Sequence, residues 1–521
     1  MRGQLFLAAT LAFMTGWIVG VTKLSQILMT TPEGPFPTSS EAVAEQFLIT
    51  FGVSKAVGNL IAGSGADVVG RKPVMLAGWA IGAAFAAAVL SARSWTAVVA
   101  SDLLLGLNQA LCWSAALFLA HDLFGPNRRA LASGLVETSG YAAIALASPL
   151  VDAMGTSGVR AMHGALLALS VAGFGLTLLA VRETRPSPPT GATAERAKAT
   201  IVWPSGRRDT VRPTQLACVH ASCLDGGLMA CCLVGLALNL ATAFAWGLMT
   251  RWLGSVTAGA QPDGTDGGGG GMDGGGGGTD GGGGGTGGGG TGGSGGSSGG
   301  GGTGGDGTGG LHVGTILLLY SIPKGLCQLP AGYLADARAL WGAGPREFVC
   351  AGLGVLGAVL ALFALLVASS AALAPATTLG LAAPLAVALG AGTAMAYSPV
   401  LACVAARAEP EWRASALGAY RFWRDMGYAL GGLLLGSITD VASGAAWVAP
   451  LLAAGAVLAT AAIFACSAES TRAVVVPLSA HAAGAAQAEM SGAPGAVASA
   501  EAKSVATATT SYGRLQERGV V

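Results

Sequence analysis

The sequence predicts an all-α integral membrane protein with twelve transmembrane helices in two pseudo-symmetric six-helix halves. Composition is the first observation behind this. Hydrophobic residues make up 52% of the chain, charged residues only 11%, and the mean hydropathy is +0.60, where a soluble domain carries about 25% charged residues. Second, apolar runs of roughly twenty residues, the length that crosses a bilayer core, recur along the chain. Third, one polar pattern occurs twice, as Lys55, Asn59, Gly63, Asp67 and as Lys324, Gln328, Gly332, Asp336, each stepping by four residues.

The first six runs fall near 3–22, 43–63, 74–91, 97–120, 130–150 and 160–181. The second six fall near 224–250, 311–334, 348–370, 377–403, 414–438 and 444–466. This divides the chain into an N-terminal bundle over 1–182, a linker over 183–216 and a C-terminal bundle over 217–467. The linker holds Arg185, Arg196, Lys198, Arg207, Arg208 and Arg212 with Pro186, Pro188 and Pro189, and reads as irregular. Within the second bundle, 255–310 is an insertion whose core, 264–310, is nearly all Gly with some Asp, Thr and Ser. Such a composition cannot bury enough apolar area to offset its ordering entropy, so it is expected to be disordered. The Ala-, Ser- and Thr-rich tail over 468–521 is expected to be disordered as well.

Loop charges set the orientation. Arg71 and Lys72, Arg128 and Arg129, the linker, Arg338 and Arg346, and Arg407 and Arg413 occupy alternate connections. Basic loops stay in the cytoplasm, which places both termini and the linker there and the Gly-rich insertion outside. A signal peptide is the rival reading of the first span, but 16–28 offers no small-residue cleavage site. Plasma membrane and organelle membrane both remain open. The net charge of +1 provides no field for a nucleic-acid partner. The nine cysteines lie mostly in apolar segments without paired ligand spacing, so they read as small core residues and no metal site is expected.

In each copy of the polar pattern the Lys precedes the Asp by twelve residues, about 18 Å along a helix axis. If the Asp marks the membrane surface, the Lys lies near the middle of a core about 30 Å thick. A lysine at that depth faces a cavity or a partner, because lipid exposure costs too much. Lys55 and Lys324 thus suggest a basic site on a pseudo-symmetry axis. Each lysine binds an anion or carboxylate, is paired permanently with an internal carboxylate or helix-end carbonyls, or snorkels to an interface, the last disfavoured by the estimated depth. Asn59 and Gln328 either join the same ligand or bond between helices.

The run Gly63-Ser64-Gly65-Ala66-Asp67-Val68-Val69-Gly70-Arg71-Lys72-Pro73 resembles the loop between the second and third helices of the major facilitator superfamily. A weaker copy, Pro330-Ala331-Gly332-Tyr333-Leu334-Ala335-Asp336, falls where the second half would repeat it. Arg128-Arg129 with Gly134 is echoed by Arg413 with Gly418. The resemblance covers about 1–466 less the Gly-rich insertion, and implies a secondary transporter working by alternating access. Physically the loop reads as a cytoplasmic latch built from Gly63, Asp67, Gly70, Arg71, Asp122 and Asp336, or as a loop that serves solubility and topology alone. In the latch Asp67 faces a helix N-terminus and Arg71 reaches Asp122. Two departures narrow the type: Asp102 stands where many proton-coupled members carry Arg, and Ser148-Pro149 replaces the Gly-Pro signature of drug antiporters. Nitrate and nitrite porters of the superfamily use basic residues at places similar to Lys55 and Lys324, which lends the geometry but not the substrate.

The eleventh span carries Arg421, Arg424 and Asp425. Arg421 and Asp425, four apart, can pair on one helix face. Glu137 lies three residues after Gly134 as Arg421 does after Gly418, so a Glu137–Arg421 bridge between halves is expected, either as a gate or coupling site or as a static pair. Asp102 reads as an interfacial carboxylate or a proton carrier, and His121 as a cap residue. Asn108, Gln109, Asn239 and Trp246 read as packing residues or cavity lining. The expected function is transport of a small solute, best an inorganic or organic anion with protons as a candidate coupling ion, by a monomer without cofactors. The alternatives are a porter for a neutral or cationic solute with structural lysines, and a transport-inactive sensor or scaffold. Catalysis is not expected, since the chain carries no nucleophile–base motif or phosphate loop.

Overall fold

A computed structural model describes residues 2–31, 33–38, 41–185, 199–202, 208–211, 225–249, 252–253, 256, 313–337, 342–408, 412–441, 446–467 and 476–477. The Gly-rich core over 264–310 and nearly all of the tail lie outside the described residues. Six long helices precede the linker: α1 (Arg2–Met29), α2 (Glu41–Val68), α3 (Arg71–Ser91), α4 (Trp95–Phe124), α5 (Arg129–Met154) and α6 (Val159–Ala180). After it come α7 (Gly226–Trp246), α8 (Val313–Leu326), α9 (Gln328–Asp336), α10 (Pro345–Ser369), α11 (Pro375–Arg407), α12 (Arg413–Val441) and α13 (Val448–Cys466).

Local chemistry sets several of the ends. The Ser94 side chain accepts from the Ala97 N–H at the start of α4, and the Asp225 carboxylate accepts from Gly227 and Leu228 at the start of α7. Each satisfies N–H groups that a helix start leaves without an internal partner. Gly70, at φ 110°, makes the turn into α3 in a backbone region that side chains disfavour. The eighth predicted span is α8 and α9 in succession. Pro323 and Pro330 lack the N–H that the preceding turn needs, although Cys327 N and Ala331 N still bond back to Pro323 O and Cys327 O, each at 3.0 Å.

Ten helices are long and apolar enough to cross a membrane among the described residues. The eighth and eleventh predicted spans are the two beyond those ten. One is broken in two, and the other, α12, carries Arg413, Arg421, Arg424 and Asp425. The halves meet along two matched seams: α2 packs on α12, and α5 packs on α8 and α9. The second span thus lies against the eleventh and the fifth against the eighth, as a duplicated six-helix unit requires.

Small residues make the seams close. A Cβ on Gly63 would lie 2.5 Å from Ala414 O, and one on Gly418 would lie 2.6 Å from Asn59 O. On the other seam, a Cβ on Gly134 would lie 2.7 Å from Gln328 O, and one on Gly332 would collide with Ala130 O. Backbones can approach this way only where side chains are missing.

The linker differs from the irregular segment expected. Strands β1 (Ala199–Val202) and β2 (Arg208–Val211) pair antiparallel, with Ala199 opposite Val211. Two residues of the tail, β3 (Val476–Pro477), add to the other edge in the order β2-β1-β3. The β-branched Thr200, Ile201 and Val202 and Thr210 and Val211 favour extended backbone, a local preference that a count of Arg and Pro overlooks.

Candidate functional site

Polar groups concentrate in two places, one end of the bundle and its centre. At the end, the two Asp residues of the repeated pattern bind helix starts in the opposite half. Asp67 Oδ2 accepts from Ser415 N at 2.9 Å and Ser415 Oγ at 2.7 Å, in the first turn of α12. Asp336 Oδ2 accepts from Leu131 N at 2.8 Å, and Oδ1 from Ala130 N at 3.4 Å, in the first turn of α5. Each carboxylate fills bonding positions at a helix N-terminus, where negative charge is favoured.

Arg71 ties α3 to this end. Its Nε donates to Asp122 Oδ2 at 2.9 Å, its Nη1 donates to Ala66 O at 2.6 Å, and Nη1 lies 3.6 Å from Asp67 Oδ1. Sequence reasoning did not find the strap that leaves α6. Glu183 accepts from the backbone N–H groups of Arg71 at 2.9 Å and Lys72 at 3.1 Å. Thr184 Oγ1 donates to Asp122 Oδ2 at 2.8 Å, and Arg185 Nη1 donates to Val68 O at 2.5 Å. A side chain at Gly70 would push the Glu183 carboxylate aside and would be strained by the φ of 110°. Partial burial disfavours the charged form of Glu183, but the N–H groups of Arg71, Arg185, Lys72 and Thr184 outweigh it and hold the carboxyl below its ordinary range.

The centre is buried. Lys55 is 8% exposed, and Asn59, Lys324, Gln328, Glu137, Arg421 and Asp425 are each 0% exposed, which removes snorkelling as a role for the lysines. Asp425 organises one side. It accepts from Arg424 Nε and Nη2 at 2.8 Å each, from Asn59 Nδ2 at 2.6 Å and from Asn239 Nδ2 at 2.8 Å. Lys55 Nζ lies 4.0 Å from the same carboxylate. The helix-face pair expected between Arg421 and Asp425 is replaced: Asp425 takes its neighbour Arg424, which frees Arg421 for α5. There Arg421 Nη2 donates to Glu137 Oε1 at 2.6 Å, and Nη1 donates to Ser114 Oγ at 3.0 Å.

Lys324 sits differently. Its Nζ donates to Thr242 Oγ1 at 3.0 Å and lies over the rings of Tyr141 at 4.4 Å, Tyr320 at 5.2 Å and Tyr397 at 5.7 Å. No carboxylate pairs with it among the described residues. Asn59 and Gln328 occupy matched places: Asn59 Oδ1 accepts from Ser114 and Gln328 Oε1 from Ser398. Aromatic rings connect the two lysines, since Trp113 lies 5.5 Å from Lys55 Nζ and stacks edge-on with Tyr141 at 5.6 Å. Gln328 Nε2, Arg421 Nε, Arg424 Nη1, Trp113 Nε1, Glu137 Oε2 and Asn239 Oδ1 are buried without hydrogen-bond partners among the described residues.

A third lysine escaped sequence reasoning. Lys23 of α1 is 3% exposed, and its Nζ lies 3.9 Å from the centre of the Phe51 ring, with Phe47, Trp246 and Tyr428 around it. Its place just past the end of the first apolar run, without a partner pattern elsewhere, hid it. Two roles are corrected. Asp102 is buried at 0% exposure and accepts from Gln26 Nε2 at 2.8 and 2.9 Å, so it is not an interfacial carboxylate. His121 is buried and bonds Ser133 at 2.8 Å between α4 and α5, so it does not serve as an exposed cap. Asn108 donates to Gly78 O and Gln109 to Thr15 O, both as interhelical bonds.

The Major Facilitator Superfamily family model matches residues 5–260. The fold is similar to that of the human organic anion transporter MFSD10 (TETRAN). That likeness has a TM-score of 0.60 and 15% identity, and covers 89% of this chain and 99% of that one. No curated protein matches the sequence.

Proposed function

The chain is a membrane transporter of the major facilitator superfamily, and from that premise we propose that it carries a small anion, best a carboxylate-bearing solute, by alternating access. The carrying observation is the charge balance of the buried interior. Lys23, Lys55, Lys324, Arg421 and Arg424 stand there against Asp102, Glu137 and Asp425. With each group in its ordinary charge state, the cations exceed the carboxylates by two. Burying charge is tolerated when it is paired, and a bound anion supplies the missing partner. Unpartnered donors Gln328 Nε2 and Arg424 Nη1 lie around the same centre as Lys324, as an incoming oxyanion needs. The similar fold of a human organic anion transporter fits this reading.

The anion lies beside Lys324, Gln328 and Arg424, with Lys55 and Asn59 tied to Asp425 on the other side. The two Asp–helix contacts hold one end closed, and release as the halves rock about the α2–α12 and α5–α8/α9 seams. Asp102 and Lys23 are two of the buried titratable groups on hand for a coupling proton. The latched end is cytoplasmic by the charge of its loops.

Thermal unfolding of the purified protein across inorganic anions, carboxylates, sugars and organic cations tests the substrate class. A ligand that binds only the folded protein at 100 times its dissociation constant adds about 2.7 kcal/mol. Stabilisation by carboxylates, followed by their uptake into proteoliposomes, is the expected result. Stabilisation by sugars or cations alone overturns the anion reading, and binding without uptake leaves a sensor in place of a carrier.

A further inference from the structure

The two seams repeat each other at several positions, and at one aligned pair they give the facing lysines different partners. Gly134 and Gly418 occupy equivalent places on the two seams. Seven residues after them come Tyr141 and Asp425. Each meets the lysine of the facing span: Asp425 lies 4.0 Å from Lys55 Nζ, and the Tyr141 ring centre lies 4.4 Å from Lys324 Nζ. One lysine therefore has a carboxylate where its twin has an aromatic face.

We propose that Tyr141 is the residue that keeps Lys324 un-neutralised, and that Lys324 takes the carboxylate of an aromatic monocarboxylate while Lys55 stays with Asp425. An ammonium has three donors, and Lys324 uses one of them on Thr242. A ring face steadies a cation at far less than the strength of a buried ion pair, so a ligand carboxylate displaces nothing strong. Lys55 has the opposite environment. Its carboxylate is already in place and is itself fixed by Arg424, Asn59 and Asn239. The rings set the body of the solute. Trp113, Tyr141 and Tyr397 form an edge-to-face chain, at 5.6 and 6.0 Å between centres, beside Lys324. Aromatic rings favour a further ring in such offset or edge-on arrangements. Arg424, over Tyr397 at 5.4 Å with Nη1 unpartnered, supplies a second donor to the same head group.

This assignment rests on the anion reading and is tested apart from it. Full-length protein in detergent is titrated with benzoate, and with acetate at the same concentrations, in the wild type, Tyr141→Asp, Lys324→Gln and Lys55→Gln. Benzoate is expected to stabilise the wild type more than acetate does. Tyr141→Asp gives Lys324 the carboxylate that Lys55 already has. That variant and Lys324→Gln are each expected to weaken benzoate by roughly tenfold or more, the worth of one charged hydrogen bond. Lys55→Gln is expected to weaken it by less than about threefold. Should Tyr141→Asp fail to fold, the comparison of the two lysine variants decides alone. Benzoate binding that survives Tyr141→Asp or Lys324→Gln, or that falls equally in Lys55→Gln, overturns the assignment and spares the anion reading. Equal stabilisation by acetate overturns the aromatic body. A wild type that responds to no anion at all overturns both readings together.

Discussion

Glu137 and Arg421 lie on opposite halves of the bundle and meet at 2.6 Å with neither side chain exposed. They stand at equivalent places, three residues after Gly134 and Gly418, so one carboxylate and one guanidinium join the two seams to each other near the pseudo-symmetry axis. Breaking a buried pair by removing one charge typically costs about 3–5 kcal/mol, because the other charge is left uncompensated. Glu137→Gln should therefore lower thermal stability and abolish or sharply slow transport. The exchange Glu137→Arg with Arg421→Glu should recover part of both. Transport that is indifferent to Glu137→Gln would remove the pair from the conformational cycle.

The Asp67–Ser415 and Asp336–Leu131 contacts predict a symmetric defect. Replacing a carboxylate that serves a helix start typically costs about 1 kcal/mol. Asp67→Asn and Asp336→Asn should each favour opening of the latched end by that order, and the double variant by about the sum, since the two sites share no partner. Hydrogen exchange at the amides of Ser415 and Leu131 reads this directly. Protection should fall at the first in Asp67→Asn and at the second in Asp336→Asn. Unchanged exchange at both would mean that these carboxylates do not hold the end shut.

Close contact at Gly63 makes a third expectation. The Cβ of Gly63→Ala would lie 2.5 Å from Ala414 O, a backbone atom that cannot swing away. Overpacking of this kind costs about 1–3 kcal/mol. The variant should separate α2 from α12 at the latched end, raising labelling of a cysteine introduced at Ser64. Wild-type labelling in Gly63→Ala would show that the seam can relax without opening.

How much of this was legible in the sequence follows from the period and the repeat. A spacing of four residues put Lys55, Asn59, Gly63 and Asp67 on one face, and its recurrence at Lys324 aligned the halves, so α2 and α8/α9 could be matched without coordinates. The three-residue offset from Gly134 and Gly418 pointed to Glu137–Arg421 for the same reason. Pairings that depend on the precise turn of a helix were harder to read. Arg424, adjacent to Asp425 in sequence, takes the carboxylate that spacing alone gives to Arg421. Lys23 has no repeated counterpart to mark it, and its environment of Phe47, Phe51, Trp246 and Tyr428 comes from three different helices. Glu183 lay in a stretch read only as linker. Its partners at Arg71 and Lys72 are backbone groups, which leave no trace in side-chain patterns.

That strap carries the fourth expectation, a pH dependence with a definite sign. Glu183 is held below the ordinary glutamate range by four backbone N–H groups, against the opposing effect of its partial burial. A carboxyl depressed in the folded state binds its proton more readily in the unfolded chain, so acid favours unfolding. The stabilisation is complete above the ordinary value of about 4.3 and declines as pH falls below it. It is lost once the pH passes below the depressed folded value. Thermal unfolding of the wild type and Glu183→Gln, compared across this range, isolates the contribution. The wild type should be the more stable near neutrality, and the two should converge in acid. A gap that stays constant from about pH 3 to pH 6 would assign the effect of Glu183 to its shape, leaving the charge that caps the turn into α3 without a role.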